Sequence, residues 1–277
     1  MAVMTLLDLQ GISFAYRQHE VLAGITLSIP EGSVVALLGP NGSGKTTLLK
    51  LMLGLLKPVQ GRIRMHGRDI HLMPQRELAR SMAYVPQVHK EPFAYRVFDV
   101  ALMGRMPHKD FFSRYGREDR RIAREALERV GIAHLAERPY TEISGGERQL
   151  ALIARAMTQG AHLFVMDEPT NGLDYGNQIR LLERLKQLSA EGNTFIFSTH
   201  HPDHAMAVAD RVVMMRKGAI AYDGLVDATI HQASLMDLYN VDVRLMPVEE
   251  GVCVCVPAVR LCGCKGTAAA EKQCGSC

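Results

Sequence analysis

Gly39-Pro40-Asn41-Gly42-Ser43-Gly44-Lys45-Thr46 decides how the rest of this chain is read. The stretch satisfies the phosphate-loop pattern G-x-x-x-x-G-K-[ST] at every specified position. A loop that wraps an anion must turn its backbone N–H groups inward. Side chains would block that approach, and some positions need φ > 0, which is the use of the glycines. Lys45 offers a compact positive charge for the outer phosphates, and Thr46 a hydroxyl for Mg²⁺. The flanks agree. Ser33-Val-Val-Ala-Leu-Leu38 is a short, almost wholly apolar run, the mark of a buried parallel strand. Thr47-Leu-Leu-Lys-Leu-Met-Leu-Gly-Leu-Leu56 predicts a helix opening at the loop, whose N-terminal dipole favours phosphate. A glycine-rich turn that matched by chance would lack this strand before it and this helix after it.

Composition sets the outer bounds. The chain has 277 residues, enough for one large domain or two small ones with a substantial core. It is 47% hydrophobic and 22% charged, ordinary for a globular protein. A net charge of +3 is too small to point to a nucleic-acid partner. Met-Ala-Val-Met-Thr at the start has no basic n-region, so no signal peptide is expected. No stretch approaches about 18 uninterrupted apolar residues, so no transmembrane helix is expected. All six cysteines lie from Cys253 onward, so everything before them folds without disulfides, as in a reducing cytosol.

Residues 3–32 alternate as strands joined by turns. Ile12-Ser-Phe-Ala-Tyr16 and Ile25-Thr-Leu-Ser-Ile29 are the clearest, the second closed by Pro30-Glu31-Gly32; Gly61-Arg-Ile-Arg-Met-His-Gly67 is another. They predict a small antiparallel sheet beside the phosphate-loop core. Tyr16, expected in the loop after its strand, has a ring suited to a purine base or to a half-buried sheet. After Tyr84-Val-Pro-Gln87, Pro92, Pro107, glycines and aromatics mark an exposed connection into a helical segment. Arg117 to Val130 predicts a helix stopped by Gly131, its many charges a solvated face. Ile143-Ser-Gly-Gly-Glu-Arg-Gln-Leu150 opens another, with Ser144 as N-cap and Glu147 completing a capping box. Paired glycines at a helix start also suit an anion.

Leu163-Phe-Val-Met-Asp167 is an apolar run ending in a carboxylate, with Glu168 and Pro169 next. An acidic pair at the end of a buried strand is costly unless it meets a cation or water. A Mg²⁺-associated Asp167 beside a water-activating Glu168 meets that need. A plain Asp-Glu-Pro turn is the alternative, and the phosphate loop upstream argues against it. Thr194-Phe-Ile-Phe-Ser-Thr199 predicts a third buried strand, with His200 just past its end. Ligands of open parallel sheets bind at the carboxyl ends of strands, so Lys45, Asp167, Glu168 and His200 are expected at one edge. A lone core or surface histidine is the other reading of His200. His200 and His204 have the spacing of a helical metal pair, but Pro202 biases His201 to an extended backbone, so one helix should not carry both.

With these residues in place, the chain over about residues 3–246 resembles the ATP-binding subunit of ABC transporters. The resemblance implies an α/β fold: a phosphate-loop (RecA-like) core, an antiparallel β subdomain, and an inserted α-helical subdomain at about 90–160. It implies ATP and Mg²⁺ as ligands. Tyr16 is similar to the stacking aromatic, and Gly39, Pro40, Asn41, Gly42, Ser43, Gly44, Lys45, Thr46 and Thr47 to the nucleotide cradle. Gln87 resembles the glutamine that links Mg²⁺ and the γ-phosphate to the helical subdomain. Ser144, Gly145 and Gly146 resemble the signature that contacts the γ-phosphate of an opposite subunit. Asp167 resembles the Mg²⁺-associated aspartate, with Thr46 and Gln87 beside it. Glu168 and His200 resemble the catalytic glutamate and the switch histidine. Asn171-Gly-Leu-Asp174 resembles the loop that crosses the dimer interface. Ile143 replaces the usual leucine, and Glu147 stands where glutamine is commonest, so Glu147 is expected to turn away and cap its own helix. The implied partners are a second copy of the chain in an ATP sandwich, integral membrane permease subunits and, indirectly, a solute-binding protein, with no nucleic acid. The implied location is the cytoplasmic face of the cell membrane.

Pro92-Phe-Ala-Tyr-Arg-Val-Phe-Asp-Val-Ala-Leu-Met-Gly-Arg105 resembles importer ATPases for iron chelates, haem, cobalamin and molybdate. Ile153-Ala-Arg-Ala156 and Thr199-His-His-Pro-Asp203 fit the same class. In that family this region lies against the membrane subunits. Residues 90–108 are therefore expected to dock a permease, and Val97→Asp with charge reversal at Arg105 to uncouple transport while sparing ATPase activity. A soluble ABC-type ATPase acting on DNA or ribosomes is another reading, but the coiled coils, zinc inserts or tandem cassettes usual in such proteins are absent from the sequence. A metal-handling or interaction protein is a third. There is no internal repeat and no second phosphate loop, so each chain carries one nucleotide module.

The third reading comes from residues 247–277. Val252-Cys-Val-Cys-Val256 alternates as a strand, placing Cys253 and Cys255 on one face. Cys262, Cys264, Cys274 and Cys277 form either a thiolate site for Zn²⁺ or another thiophilic metal, or a reduced tail without one. Metal analysis of purified protein, with and without residues 258–277, decides between them. The metal reading expects a stoichiometric ion lost on truncation, and its absence from both forms refutes it.

Overall fold

A computed structural model describes residues 4–87, 94–110, 113–249 and 252–258. A hairpin of β1 (Thr5–Tyr16) and β2 (His19–Pro30) comes first, and β3 (Val34–Leu38) then leads through the phosphate loop into α1 (Lys45–Met52). Next come β4 (Gln60–Met65), β5 (Arg68–Asp69), α2 (Gln75–Ser81) and β6 (Met82–Val85). The helical part holds α3 (Val97–Leu102), α4 (Arg117–Arg129) and α5 (Gly145–Thr158). The chain returns to the core with β7 (Leu163–Met166), α6 (Tyr175–Ala190), β8 (Thr194–Thr199) and α7 (Pro202–Val208). It closes with β9 (Arg211–Arg216), β10 (Ala219–Leu225), α8 (Val226–Thr229), α9 (Gln232–Tyr239), β11 (Val243–Glu249) and β12 (Val252–Pro257).

The central sheet has the order β10-β9-β3-β8-β7-β6, parallel throughout except for β10. Side chains alternate across it, as strand geometry requires. Val34, Ala36, Leu38, Phe164, Met166, Phe195 and Phe197 enter one apolar core with the helical part. Val35, Leu37, Leu163, Val165 and Ile196 enter a second core with α1 and the antiparallel sheet. Both faces are covered, which is why these strands are apolar without interruption.

The antiparallel sheet has the order β2-β1-β4-β5. The expected strands at 12–16 and 25–29 are the visible halves of longer ones. Register shifts between Leu9 and Ile12 restart the alternation, so the first half of β1 does not continue the pattern of the second. Tyr16 pairs with His19 as the last residue of β1, not in a loop beyond it. Its ring stands edge-on to Phe14 at 4.9 Å.

In the helical part, α4 ends where Gly131 takes φ 81°. Ser144 caps α5: its Oγ accepts the Glu147 N–H at 3.3 Å, and Glu147 Oε2 accepts the Ser144 N–H at 2.7 Å. Glu147 thus turns back onto its own helix, as its position in the capping box requires. The C-terminal hairpin of β11 and β12 runs through residue 246, and Leu245 and Cys255 pack on the main core. The four cysteines beyond 258, and residues 90–93 of the expected docking segment, lie outside the described residues. Among the described residues no helix is long and apolar enough to cross a membrane.

The substitutions expected to test docking need correction. Val97 is fully buried, in the core shared by α3 and α5. Arg105 Nε donates to Asp119 Oδ1 at 3.1 Å and its Nη1 to the Thr158 carbonyl at 3.2 Å, joining α3's extension to α4 and α5. Lys109 also pairs with Asp119, and the Gly116 N–H donates to it at 2.8 Å. Burial alone would push the Asp119 carboxyl up, but the donors from Lys109, Gly116 and Arg105 outweigh it and hold it at about 2.

Val97→Asp should therefore cost at least ~3 kcal/mol of stability. Arg105→Glu should cost on the order of 3 kcal/mol. Denaturant unfolding checks both; unchanged midpoints would contradict the packing. The Asp119 carboxyl lies below its ordinary 3.8, so its contribution is complete above about pH 4 and is lost as pH falls toward 2. Asp119→Asn should unfold earlier than the unmodified chain at neutral pH, the two converging toward pH 2.

Candidate functional site

The site follows from strand register. Leu38 pairs with Thr199, Met166 with Phe197, and Val85 with Met166. The parallel strands therefore end together, and the residues just past them share one edge: Gly39, His200, Asp167 with Glu168, and Gln87. Gln87, Glu168 and His200 line a cavity of about 610 Å³ together with Asn41, Gly42, Gly44, Lys45, Thr46, Thr47 and Asn171, and with Val21 from β2.

Two glycines shape the loop. A Cβ on Gly39 would lie 2.3 Å from the Met215 carbonyl oxygen, so only glycine lets the loop leave β3 beside β9. Gly44 has φ 101°, and a Cβ there would meet Leu22 Cδ2 at 2.6 Å. No side chain caps α1, so the first N–H groups of the helix remain for a ligand. Lys45 is buried, its Nζ donating to the carbonyls of Gly39 at 2.7 Å and Pro40 at 3.0 Å. Burial pulls its pKa below the ordinary lysine value, against the opposing fields of Glu168 and Asp167. A phosphate entering the loop would restore the balance that water no longer supplies.

The acidic pair is held differently at its two residues. Asp167 is buried; its Oδ1 accepts from Ser198 Oγ at 2.7 Å and Thr46 Oγ1 at 3.1 Å, while its N–H donates to the Val85 carbonyl at 3.0 Å. Glu168 takes φ 44°, a left-handed conformation uncommon for a glutamate. Its N–H donates to Ser198 Oγ at 2.9 Å. Its Oε2 accepts from Gln87 Nε2 at 3.1 Å and Asn171 Nδ2 at 3.2 Å, and its Oε1 lies 3.3 Å from His200 Nδ1. The Glu168 carboxylate is thus fixed by groups from three separate loops. The oxygens of Asp167 and Thr46, already in contact, are the hard donors that Mg²⁺ prefers.

His200 precedes α7 and His204 lies within it, so no helix carries both. The rings of His200, His201 and His204 lie in series, tilted by 42° and 50°, with centroids 4.0 and 4.7 Å apart. Burial, then the neighbouring histidines, lowers His201 and takes His204 to about 4. His204 is therefore neutral at pH 7, and its Nδ1 lies 3.1 Å from the Thr170 hydroxyl. Behind His200, the Tyr239 hydroxyl donates to its carbonyl at 3.0 Å. Among the described residues no group of three or more His, Cys, Asp and Glu is placed to hold a metal.

Tyr16, Ser144, Gly145 and Gly146 do not line this cavity. Ser144 and Gly145 are exposed at the start of α5. Gly146 is buried against α6, where a Cβ would fall 2.7 Å from the Asn177 side chain. Val21 in the lining, and Ser198 and Tyr239 behind it, went unread in the sequence. Ser198 did carry a signal: a hydroxyl inside a fully buried strand needs a partner. Tyr239 carried none.

Comparison with known proteins agrees with this geometry. The family model described as ABC transporter matches residues 22–171. The iron(3+)-hydroxamate import ATP-binding protein FhuC of Bacillus subtilis is 34% identical over 244 residues, covering 88% of this chain and 91% of that one. The molybdate import ATP-binding protein MolC of Haemophilus influenzae is 38% identical over 213 residues, covering 76% and 79%. Among solved structures, an inward-facing ABC transporter assigned to the metal-chelate type superposes with a TM-score of 0.82 at 32% identity, covering 92% of this chain and 98% of that one. A phosphate loop, an acidic pair and a histidine on one sheet edge, matched over most of their length, establish that this chain belongs to the ABC transporter ATP-binding family, whose members bind and hydrolyse ATP to power transport.

Proposed function

We propose that this chain is the ATP-hydrolysing subunit of a membrane importer for an iron(III) complex (siderophore or haem), cobalamin or molybdate. The carrying observation is the Glu168 carboxylate, held by Gln87, Asn171 and His200 over the phosphate-loop cavity. The solute class rests on the relatives named for iron-hydroxamate and molybdate import. Residues 3–246 form the ATPase domain in this reading, with the helical subdomain at about 90–160 and residues 247–277 as a C-terminal Cys-rich tail.

Each side chain has a distinct task. The free N–H groups of the loop and of the uncapped start of α1 cradle the phosphates, and Lys45 leaves the loop carbonyls to pair with the outer ones. Thr46 and Asp167, with Gln87 nearby, would hold Mg²⁺, which when bound neutralises charge on the β- and γ-phosphate oxygens. Glu168 accepts a hydrogen bond from the attacking water and draws off its proton as the water oxygen bonds to the γ-phosphorus and the bond from that phosphorus to the β–γ bridging oxygen breaks, ADP leaving with the bridging oxygen. His200, within reach of Glu168, donates to the γ-phosphate. Gln87 carries the state of the site toward the helical part. Tyr16 stacks on the base.

Ser144, Gly145 and Gly146 lie outside this chain's own cavity, and the exposed start of α5 suits a second copy's nucleotide. Two chains would then enclose two ATP molecules, and closure would pull on permease subunits at the cytoplasmic face of the membrane, fed by a solute-binding protein. No nucleic acid is involved. A soluble ABC-type ATPase is the second reading. Detergent extraction separates them, since co-purification with integral membrane proteins supports transport.

Glu168→Gln should bind ATP and Mg²⁺, run as an ATP-dependent dimer on gel filtration, and hydrolyse at least ~100-fold more slowly. Lys45→Ala should lose nucleotide affinity and fail to dimerise. Hydrolysis by Glu168→Gln at the unmodified rate would remove Glu168 from its role.

A further inference from the structure

Ser198 lies in the middle of the site's support and touches none of its ligands. It is fully buried near the end of β8. Its one hydroxyl makes two hydrogen bonds in opposite senses. The proton goes to Asp167 Oδ1 at 2.7 Å, and a lone pair accepts the Glu168 N–H at 2.9 Å. Adjacent residues with different tasks are thereby tied to a single atom on the neighbouring strand.

Both ties bear on function. At Glu168 the backbone is left-handed, φ 44°, a conformation that persists only where its surroundings over-determine it. The bond from its N–H to Ser198 is one such constraint, and it sets the direction in which the Glu168 side chain leaves the chain. At Asp167 the same oxygen also receives the Thr46 hydroxyl at 3.1 Å. Thr46 lies in the first turn of α1, beside the nucleotide-binding loop, whereas Ser198 belongs to the sheet. Ser198 therefore holds the carboxylate's rotation when Thr46 turns to a metal.

We propose that Ser198 is a positioning residue for ATP hydrolysis, orienting the Asp167 carboxylate and the Glu168 backbone through one shared hydroxyl. This rests on the roles given above to Asp167 and Glu168. Without the hydroxyl, the Glu168 N–H loses its partner, the left-handed backbone loses one of its constraints, and the Asp167 carboxylate keeps only the Thr46 hydroxyl. The loop that grips the nucleotide is untouched.

The test compares Ser198→Thr with Ser198→Val, which share shape and differ in the hydroxyl, alongside Ser198→Ala and Glu168→Gln. Turnover and KM for ATP are measured, together with the affinity for a fluorescent ATP analogue with and without Mg²⁺. Ser198→Thr is expected to turn over at least tenfold faster than Ser198→Val, with KM for ATP within about threefold. Ser198→Ala should lose at least tenfold in kcat. Without Mg²⁺ all four should bind the analogue within about twofold of the unmodified chain, while Ser198→Val and Ser198→Ala lose most of the gain that Mg²⁺ brings. Equal turnover of the Thr and Val variants overturns the proposal, as does unmodified turnover of Ser198→Ala or an unchanged Mg²⁺ gain. If Glu168→Gln is inactive and the Ser198 variants are not, this inference alone fails; if Glu168→Gln is fully active, the reading of the site fails first.

Discussion

The shared register of β3, β8, β7 and β6 is the constraint on which everything else depends. Parallel strands cannot be joined by tight turns, so each must return through a helix or a longer excursion. The chain leaves the sheet at the carboxyl edge every time, and the residue after each strand inherits a fixed place there. Gly39, His200, Asp167 and Gln87 are brought together by backbone hydrogen bonds well before any side chain is considered. Burial on both faces keeps the register from slipping, because a one-residue shift would exchange the members of two apolar cores.

That edge concentrates charge. Lys45 is withdrawn from water there, and the fields of Glu168 and Asp167 oppose the cost of its burial. The arrangement leaves the loop's N–H groups and the uncapped start of α1 facing open space, so the polar balance is completed by a bound phosphate. The neutral His204 keeps a further positive charge from gathering behind His200. The left-handed Glu168 is the local strain this site carries, and it is held by Ser198, Gln87, Asn171 and His200 together.

The helical part is joined by a different interaction. Exposed pairs along α4, such as Arg121 with Glu118 and Glu125, add little to stability. The buried Asp119, bonded to Arg105, Lys109 and Gly116, ties the segment after α3 to α4 and, through Thr158, to α5. Docking of a membrane partner on this region would therefore use its exposed residues, not Val97 or Arg105.

Much of this was legible in the chain alone, because the signals were local. The phosphate loop between an apolar strand and a helix, the acidic pair closing a second strand, the histidine after a third, and the capping box of Ser144 and Glu147 each lie within a few residues. What could not be read depends on contacts between distant segments. Tyr16 belongs to its strand because bulges in β1 extend the pairing to His19. Arg105 and Val97 read as surface until α4 and α5 close over them. Ser198 is one of three hydroxyl residues, with Thr194 and Thr199, in a buried strand. Only the pairing of β7 with β8 shows that its hydroxyl faces both carboxylate-bearing residues. Local patterns are written in neighbouring residues, whereas the partner of a buried polar atom is chosen by the strand that folds beside it.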